Sequence, residues 1–168
     1  MPAGVQRGRR SLLRGAALLA CLPAATQRAQ AAADTPLARV DDLRPLLASV
    51  ARERRPLLLF FSTPGCPYCR EVRRGYLRPR ADDGEAVSGV AIREVEITSS
   101  RRLRDASGAL VTEAALAARY DVKMVPHLEL LGSSAEPLVK PLIGIDNSGF
   151  YESFLQTAIA MATAKLTR

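Results

Sequence analysis

The sequence predicts an α/β domain in which a central mixed β-sheet of about four to five strands is flanked by helices on both faces. Three observations predict this fold class. Several segments repeat apolar residues at the three-to-four spacing of amphipathic helices, short apolar runs lie between them, and the two kinds of segment alternate until a final pair of strands. The first two strands are separated by a helix and therefore need a crossover, whereas the last two can form a hairpin.

The first half of the domain is predicted to contain two helices and two strands. Residues 37–56 have the apolar spacing of a helix that lies on a core. Residues 57–61, "LLLFF", form an apolar run too short for a helix, which indicates a central strand buried on both faces. A helix is expected to begin at Pro67, because the missing N–H of proline is not needed in a first turn. Alternation of apolar residues predicts the second strand within 89–98.

The second half is predicted to contain a helix, a hairpin and a closing helix. Residues 112–120 begin with a capping threonine and indicate a helix. Strands at 128–131 and 139–143 are separated by a glycine turn and are expected to pair as a hairpin. After Gly149 the apolar spacing predicts an amphipathic helix. The charged insertion at 100–108 has no pattern that assigns its structure.

The first 33 residues have the composition of an export signal peptide, and residues 34–168 are expected to form the domain. The segment has a basic start, an apolar stretch and small residues at 29–33. Its apolar stretch is about half the length that spans a bilayer, so we expect no stable membrane insertion. The chain is therefore predicted to be periplasmic, with its signal peptide removed.

Two finer features of the leader leave alternatives open. The pair of arginines in "RRSLLR", residues 9–14, resembles a twin-arginine signal, although an adjacent pair also arises by chance in so arginine-rich a sequence. The segment "LLAC" resembles a lipoprotein processing site at Cys21, but we favour an apolar cysteine in a discarded segment. Cleavage after Ala31 and cleavage after Ala33 fit the small residues equally well.

The net charge of +7 does not indicate a nucleic-acid partner. Five arginines and no acidic residue lie within 1–31, which leaves +2 on the remainder of the chain. Nucleic-acid binding requires basic residues concentrated on the folded domain. We therefore expect no nucleic acid among the partners.

The two cysteines of the predicted domain, Cys66 and Cys69, have the spacing of a redox couple. The free N–H groups at the start of a helix stabilise a thiolate, which favours Cys66 as the nucleophile. Cys69 follows three residues later on the same side of the helix and is the expected resolving thiol. This interpretation requires both sulfur atoms to be accessible to solvent and close enough to bond to each other.

Other uses of the cysteine pair are less consistent with the sequence. A structural zinc site takes four ligands, and only His127 joins the two cysteines in the domain, so no metal site is expected. A copper carrier or non-enzymatic binding module that uses Cys66, Cys69 and His127 remains the alternative. A purely structural disulfide over so short a loop gives little stabilisation. His127 is expected either to tune the thiolate or to face the paired strands.

Three segments resemble the thioredoxin superfamily in order and character. They are "LLLFFSTPGCPYC" at 57–69, "MVPHLEL" at 124–130 and "LIGIDNSGFYESFLQTAI" at 142–159. Among subfamilies the chain is similar to the exported thioredoxin-like proteins that accompany periplasmic sulfur-oxidation systems. The resemblance implies a thioredoxin fold, thiol:disulfide oxidoreductase activity on client proteins with thiols or disulfides, a separate redox partner protein and no bound cofactor.

The resemblance also implies a substrate-binding loop beside the cysteines. Val125 and Pro126 match the family's cis-proline loop, where Val125 offers backbone groups to an extended substrate peptide. A trans proline at the edge of a strand is the alternative. Gly144 matches the glycine near the groove that lets a partner approach closely, with a simple turn glycine as the alternative.

Departures from the family pattern concern the support of the active site. Phe60 stands where thioredoxins place a buried aspartate that assists proton transfer, so the proton of Cys69 must leave through water or another group. Gly65 replaces the usual aromatic residue before the first cysteine and is expected to open the nucleophile. Pro67 and Tyr68 form a dipeptide typical of glutaredoxins, and Tyr68 is expected at the exposed rim.

Three arginines follow the cysteine motif, at Arg70, Arg73 and Arg74. A solvated helix face is the favoured interpretation, and steering of an acidic partner is the alternative.

Overall fold

The computed structural model describes residues 37–146 and 148–168, together with Met1. The predicted export signal, its twin-arginine motif, Cys21 and the cleavage sites lie outside the described residues. The helices are α1 Leu43–Glu53, α2 Pro67–Val72, α3 Arg78–Asp82, α4 Glu85–Ser88, α5 Glu113–Arg119 and α6 Tyr151–Leu166, and a π-helical turn, Arg73–Leu77, joins α2 to α3. The strands are β1 Leu57–Ser62, β2 Ala91–Glu96, β3 Arg102–Arg104, β4 Leu110–Thr112, β5 His127–Leu131 and β6 Leu142–Ile143.

The predicted mixed sheet is confirmed, with four strands in the order β2-β1-β5-β6. Strand β1 runs parallel to β2 and antiparallel to β5, and β5 runs antiparallel to β6. The parallel pair is connected through α2, α3 and α4, as a crossover requires. Strands β3 and β4 form a separate two-stranded sheet.

Strand β1 is central, and all six of its residues are buried, as its continuous apolar run predicts. Its alternate side chains enter two cores on opposite faces of the sheet. Leu58 and Phe60 pack in the core that contains residues of α2 and α6. Phe61 and its alternating neighbours pack in the core formed with α1 and α5. Helices therefore cover both faces of the sheet.

The segment before α1 is extended, whereas the sequence predicted a helix from residue 37. The backbone N–H of Glu94 donates to the carbonyl of Ala38 over 2.8 Å, so this segment adds to the free edge of β2. Helix α1 begins only after Asp42, whose side chain accepts a hydrogen bond from the backbone N–H of Arg44. This edge pairing and the Asp42 cap together explain why the helix starts at Leu43 and not at residue 37.

Two further elements differ from the predictions. Strand β6 has only two residues, since Pro141, directly before it, offers no N–H for a longer ladder. The unassigned insertion at 100–108 forms β3 and most of the turn that leads to β4. Its turn is held by Asp105, whose carboxylate accepts the backbone N–H groups of Ser107 and Ala109. Hydrogen bonds from Ser107 and Arg119 lower the pKa of Asp105 to about 2.

Within 37–146 and 148–168, no helix has both the length and the apolar character that crossing a membrane requires.

Candidate active site

The two cysteines lie where the central strand passes into a helix. Cys66 and Cys69 form a disulfide with a Cα–Cα distance of 5.2 Å. Cys66 is the N-cap of α2, and Pro67 occupies the first helical position, as predicted. Gly65 has φ +76°, a conformation that side chains with a Cβ rarely adopt, so the turn before the motif favours glycine.

The two sulfur atoms have different environments. Cys66 is half-buried, and its Sγ accepts a hydrogen bond from the backbone N–H of Cys69 over 3.1 Å. Cys69 is only 1% exposed and packs in the same core as Phe60 and Val72. The requirement that both sulfurs be accessible is therefore wrong for Cys69, and it was too strict, because a resolving thiol has to reach only Cys66, to which Cys69 is bonded. Cys69 is buried because it lies on the inward face of α2. The half-buried Sγ of Cys66 is therefore the sulfur of this disulfide that other molecules can contact.

The loop that contains Pro126 lies at the same end of the sheet as Cys66. Phe61 and His127 are Cα partners in the antiparallel β1–β5 pair, so the residues after β1 and those before β5 meet at one edge. The Val125–Pro126 peptide bond is cis. The N–H of Gly144 donates to the carbonyl of Pro126 over 2.8 Å, which brings the predicted glycine to the predicted loop.

Tyr68 and Gly144 have the exposure and backbone conformation expected of a rim and a turn. The Tyr68 side chain is 54% exposed, between the two cysteines in sequence. Gly144 has φ +78°, and a Cβ added there meets no atom within 4 Å. The position therefore favours glycine for its backbone conformation, and the space above it is open.

His127 lies on the opposite face of the sheet from Cys69. Its ring contacts Phe61 edge-on with centroids 5.6 Å apart, and its Nε2 lies 3.1 Å from Oε2 of Glu129. Of the two suggested roles, the structure favours the one in which His127 faces the paired strands. The three side chains of the suggested copper site are not brought together. Among the described residues, no group of three or more His, Cys, Asp or Glu side chains is arranged to hold a metal ion.

A buried ion pair near the cysteines was not predicted from the sequence. Arg73 donates through Nε to Oε2 of Glu94 over 3.1 Å and through Nη2 to Oε1. The guanidinium also lies over the ring of Phe60, 5.6 Å from its centroid. Arg73 is thus part of the interior, whereas the favoured interpretation placed it on a solvated face with Arg70 and Arg74.

Glu94 is fully hydrogen-bonded in this position. Its carboxylate also accepts the hydroxyl of Ser62 over 2.6 Å and the backbone N–H of Leu37 over 2.8 Å. Burial alone raises the pKa of Glu94, but the hydrogen bonds from Arg73, Ser62 and Leu37 outweigh it and hold the pKa below its usual value. The sequence contains a signal for this pair. Arg73 lies one turn after the inward Cys69, and Glu94 continues the alternation of buried residues that starts at Val90.

No protein-family model matches the sequence, and no curated protein does. Solved structures do match. A thioredoxin-fold protein from Helicobacter pylori is 18% identical, with a TM-score of 0.50 over 68% of this chain and 81% of that chain. A mutant thioredoxin from Halobacterium salinarum is 20% identical, with a TM-score of 0.47 over 77% and 92%. Mitochondrial thioredoxin 3 from Saccharomyces cerevisiae, in its oxidised form, is 14% identical, with a TM-score of 0.46 over 74% and 93%.

The similarity to the Helicobacter pylori protein shows the class of structure. This chain has the thioredoxin fold, with a Cys-Pro-Tyr-Cys disulfide at the start of α2. The resemblance to the thioredoxin superfamily is thus confirmed at the level of the fold.

Proposed function

We propose that this chain is an exported thiol:disulfide oxidoreductase that exchanges disulfides with client proteins through Cys66 and Cys69. The observation that supports it is the bonded cysteine pair at the start of a helix, with Cys66 half-buried and Cys69 behind it. Exchange requires a nucleophile that clients reach and a second thiol that can attack the mixed disulfide.

The exchange is derived in two steps from this geometry. In the reducing direction, the thiolate of Cys66 attacks one sulfur of a client disulfide, forms a mixed disulfide and releases the other client sulfur as a thiolate. The thiolate of Cys69 then attacks the sulfur of Cys66, closes the Cys66–Cys69 disulfide and releases the second client thiolate. The chain loses two electrons and the client gains them, and the two thiol protons pass through solvent to the released thiolates. The oxidising direction is the same sequence reversed.

The start of α2 favours the first step. In the reduced chain, the N–H of Cys69 that now lies 3.1 Å from Sγ of Cys66 is a donor to a thiolate at that position. A thiolate that accepts such a hydrogen bond has a lower pKa than a free cysteine. Cys66 is therefore the better nucleophile of the pair at neutral pH.

The Val125–Pro126 loop is the proposed site for the client backbone. Val125 is partly exposed and lies at the sheet edge that also carries Cys66. Its backbone groups pair with an extended client segment, which gives binding that depends little on client sequence. Gly144 leaves open space for that segment, and Tyr68 with Gly65 forms the rim over which it passes.

Export and assignment to the thioredoxin-like proteins of periplasmic sulfur-oxidation systems form the finer part of the proposal. Both rest on the sequence, through the leader at 1–33 and the motif set described above. Cell fractionation followed by N-terminal sequencing of the mature protein tests the location. A chain that stays in the cytoplasm with its first residues intact contradicts export.

Substitution of the resolving cysteine tests the activity. A Cys69→Ser variant should accumulate mixed disulfides with clients, because the first step proceeds and the second cannot. The Cys66→Ser variant is the matched control and should trap none. A copper carrier or binding module predicts a different result, in which neither variant traps a partner and the wild type binds metal stoichiometrically or has no exchange activity.

A further inference from the structure

A cavity of about 340 Å³ opens beside Cys66, and the exchange mechanism does not use it. Its wall includes Cys66, the Thr63–Gly65 turn and the side chains of Arg39, Arg70 and Glu96. Its volume is at the lower end of the range for ligand pockets, which fits one side chain or a small molecule.

The cavity lies on the other side of β1 from the proposed client loop. Strand β1 leads into Cys66, with β2 on one side and β5 on the other. Glu96, which lines the cavity, is the Cα partner of Ser62 at the end of the parallel β1–β2 pair. The Val125–Pro126 loop precedes β5 instead. A client that reaches Cys66 is therefore flanked by the loop on one side and by the cavity on the other.

The charges that line the cavity leave one cation unused. Arg73 is paired with Glu94. Arg39 is paired with the buried Glu113 and lies 3.5 Å from Glu96. Arg70 is exposed, and although its backbone N–H donates to the carbonyl of Cys66, its guanidinium makes no hydrogen bond or ion pair with the residues that the structure describes.

The cavity therefore mainly offers hydrogen-bond donors to a bound molecule. An unpaired guanidinium offers two parallel N–H groups, the geometry that matches a carboxylate. Two carboxylates also line the cavity, Glu94 and Glu96, and Glu94 is paired with Arg73. Glu96 is engaged by Arg39 and also accepts the hydroxyl of Thr98 over 3.3 Å.

We propose that this cavity is a subsite for a carboxylate next to the reacting sulfur of the substrate, with Arg70 as its specificity-determining residue. The inference rests on the proposed exchange activity and adds a substrate preference to it. The carboxylate belongs either to an acidic residue beside the client cysteine or to a small carboxylate-bearing thiol such as glutathione. The same contact with Arg70 serves both sources.

A pair of peptides that differ in one residue tests the preference. Each carries a single cysteine activated as its 2-pyridyl disulfide, with Asp beside the cysteine in one peptide and Asn in the other. The neutral thiopyridone leaving group adds no carboxylate of its own. The reduced protein should react about fivefold faster with the Asp peptide at low salt, and the ratio should fall towards one as salt screens the contact.

Two arginine variants separate the local contact from net charge. Arg70→Gln should bring the Asp-to-Asn ratio to about one, and Arg70→Glu should invert it. Arg74→Gln removes the same charge from an exposed position four residues later, outside the cavity wall, and should keep the wild-type ratio. The ratio cancels any change in the reactivity of Cys66 itself.

The outcomes distinguish failure of the subsite from failure of the proposed function. Equal rates for both peptides in the wild type, or equal loss of preference in Arg70→Gln and Arg74→Gln, overturn the subsite while exchange stands. No reaction with either peptide overturns the exchange activity and the subsite together. A faster reaction with glutathione disulfide than with its ethyl ester, lost in Arg70→Gln, identifies a small thiol as the source of the carboxylate. Equal rates with these two compounds, while the peptide preference remains, identify protein clients as the source.

Discussion

Removal of one charge from the buried Arg73–Glu94 pair should destabilise the fold strongly. The Glu94 side chain is 3% exposed and the Arg73 side chain 10% exposed. Glu94→Gln keeps the volume but turns an amide towards the guanidinium, so Arg73 becomes a buried cation without a counter-charge. Breaking a buried pair in this way costs about 3–5 kcal/mol. Because Gln still offers one oxygen to Ser62 or Leu37, we expect about 3 kcal/mol.

Urea unfolding at pH 7, followed by circular dichroism, measures this loss on the reduced protein. Glu152→Gln is the matched control, because Glu152 pairs with Arg80 through two hydrogen bonds but is 54% exposed. A pair so exposed contributes about 0–1 kcal/mol. The double variant Arg73→Met with Glu94→Leu should recover most of the loss, since no unpaired charge remains. A loss below about 1 kcal/mol for Glu94→Gln, or a double variant no better than the single one, refutes the reasoning.

Three further predictions concern local supports of the fold. Hydrogen bonds from Ser107 and a neighbouring arginine lower the pKa of Asp105 from 3.8 to about 2. Ionised Asp105 therefore stabilises the folded chain fully above about pH 4, and this contribution is lost as the pH falls through about 2. Asp105→Asn should remove this acid dependence from thermal unfolding curves. Gly144→Ala should lower the free energy of unfolding in urea by about 1 kcal/mol, because Gly144 has a positive φ. Gly75→Ala is the control and should leave the free energy unchanged or raise it, because its Cβ meets open space. Equal losses in the two variants would contradict this reasoning. Thr112→Ala removes the cap of α5 and should cost about 1 kcal/mol by the same measurement, and no loss would mean that the cap is replaced.

The sheet and its active-site helix could be predicted because local signals and tertiary structure agree there. All residues at 57–61 are apolar, so a strand there has two faces that need burial, and only a central strand covered on both faces provides it. Pro67 fixes the first turn of α2, and Thr112 caps α5 where the sequence placed the cap. In these elements the residue that sets the boundary is also the residue that makes the stabilising contact.

The elements that were not predicted depend on partners distant in sequence. The segment before α1 has helical periodicity, but its backbone pairs with β2 more than fifty residues later. The helical spacing from Cys69 hints that Arg73 faces inward, but only the pairing of β1 with β2 brings Glu94 within reach of its guanidinium. The burial of Cys69 follows from which face of α2 meets the sheet, a property that the spacing of the two cysteines does not determine.

The buried acid of the candidate active site, Glu94, differs in position and in chemistry from the aspartate that the resemblance implies. By the sequence resemblance, Phe60 stands where thioredoxins place a buried aspartate, and the Cα partner of Phe60 on β2 is Glu94. A carboxylate held ionised by Arg73 and already bonded to Ser62 and Leu37 is a poor proton acceptor, because protonation forfeits those hydrogen bonds. Glu94 therefore acts as a structural counter-ion for Arg73 rather than as the base for Cys69. Under the proposed exchange, we therefore expect the proton of Cys69 to leave through water or a group other than Glu94.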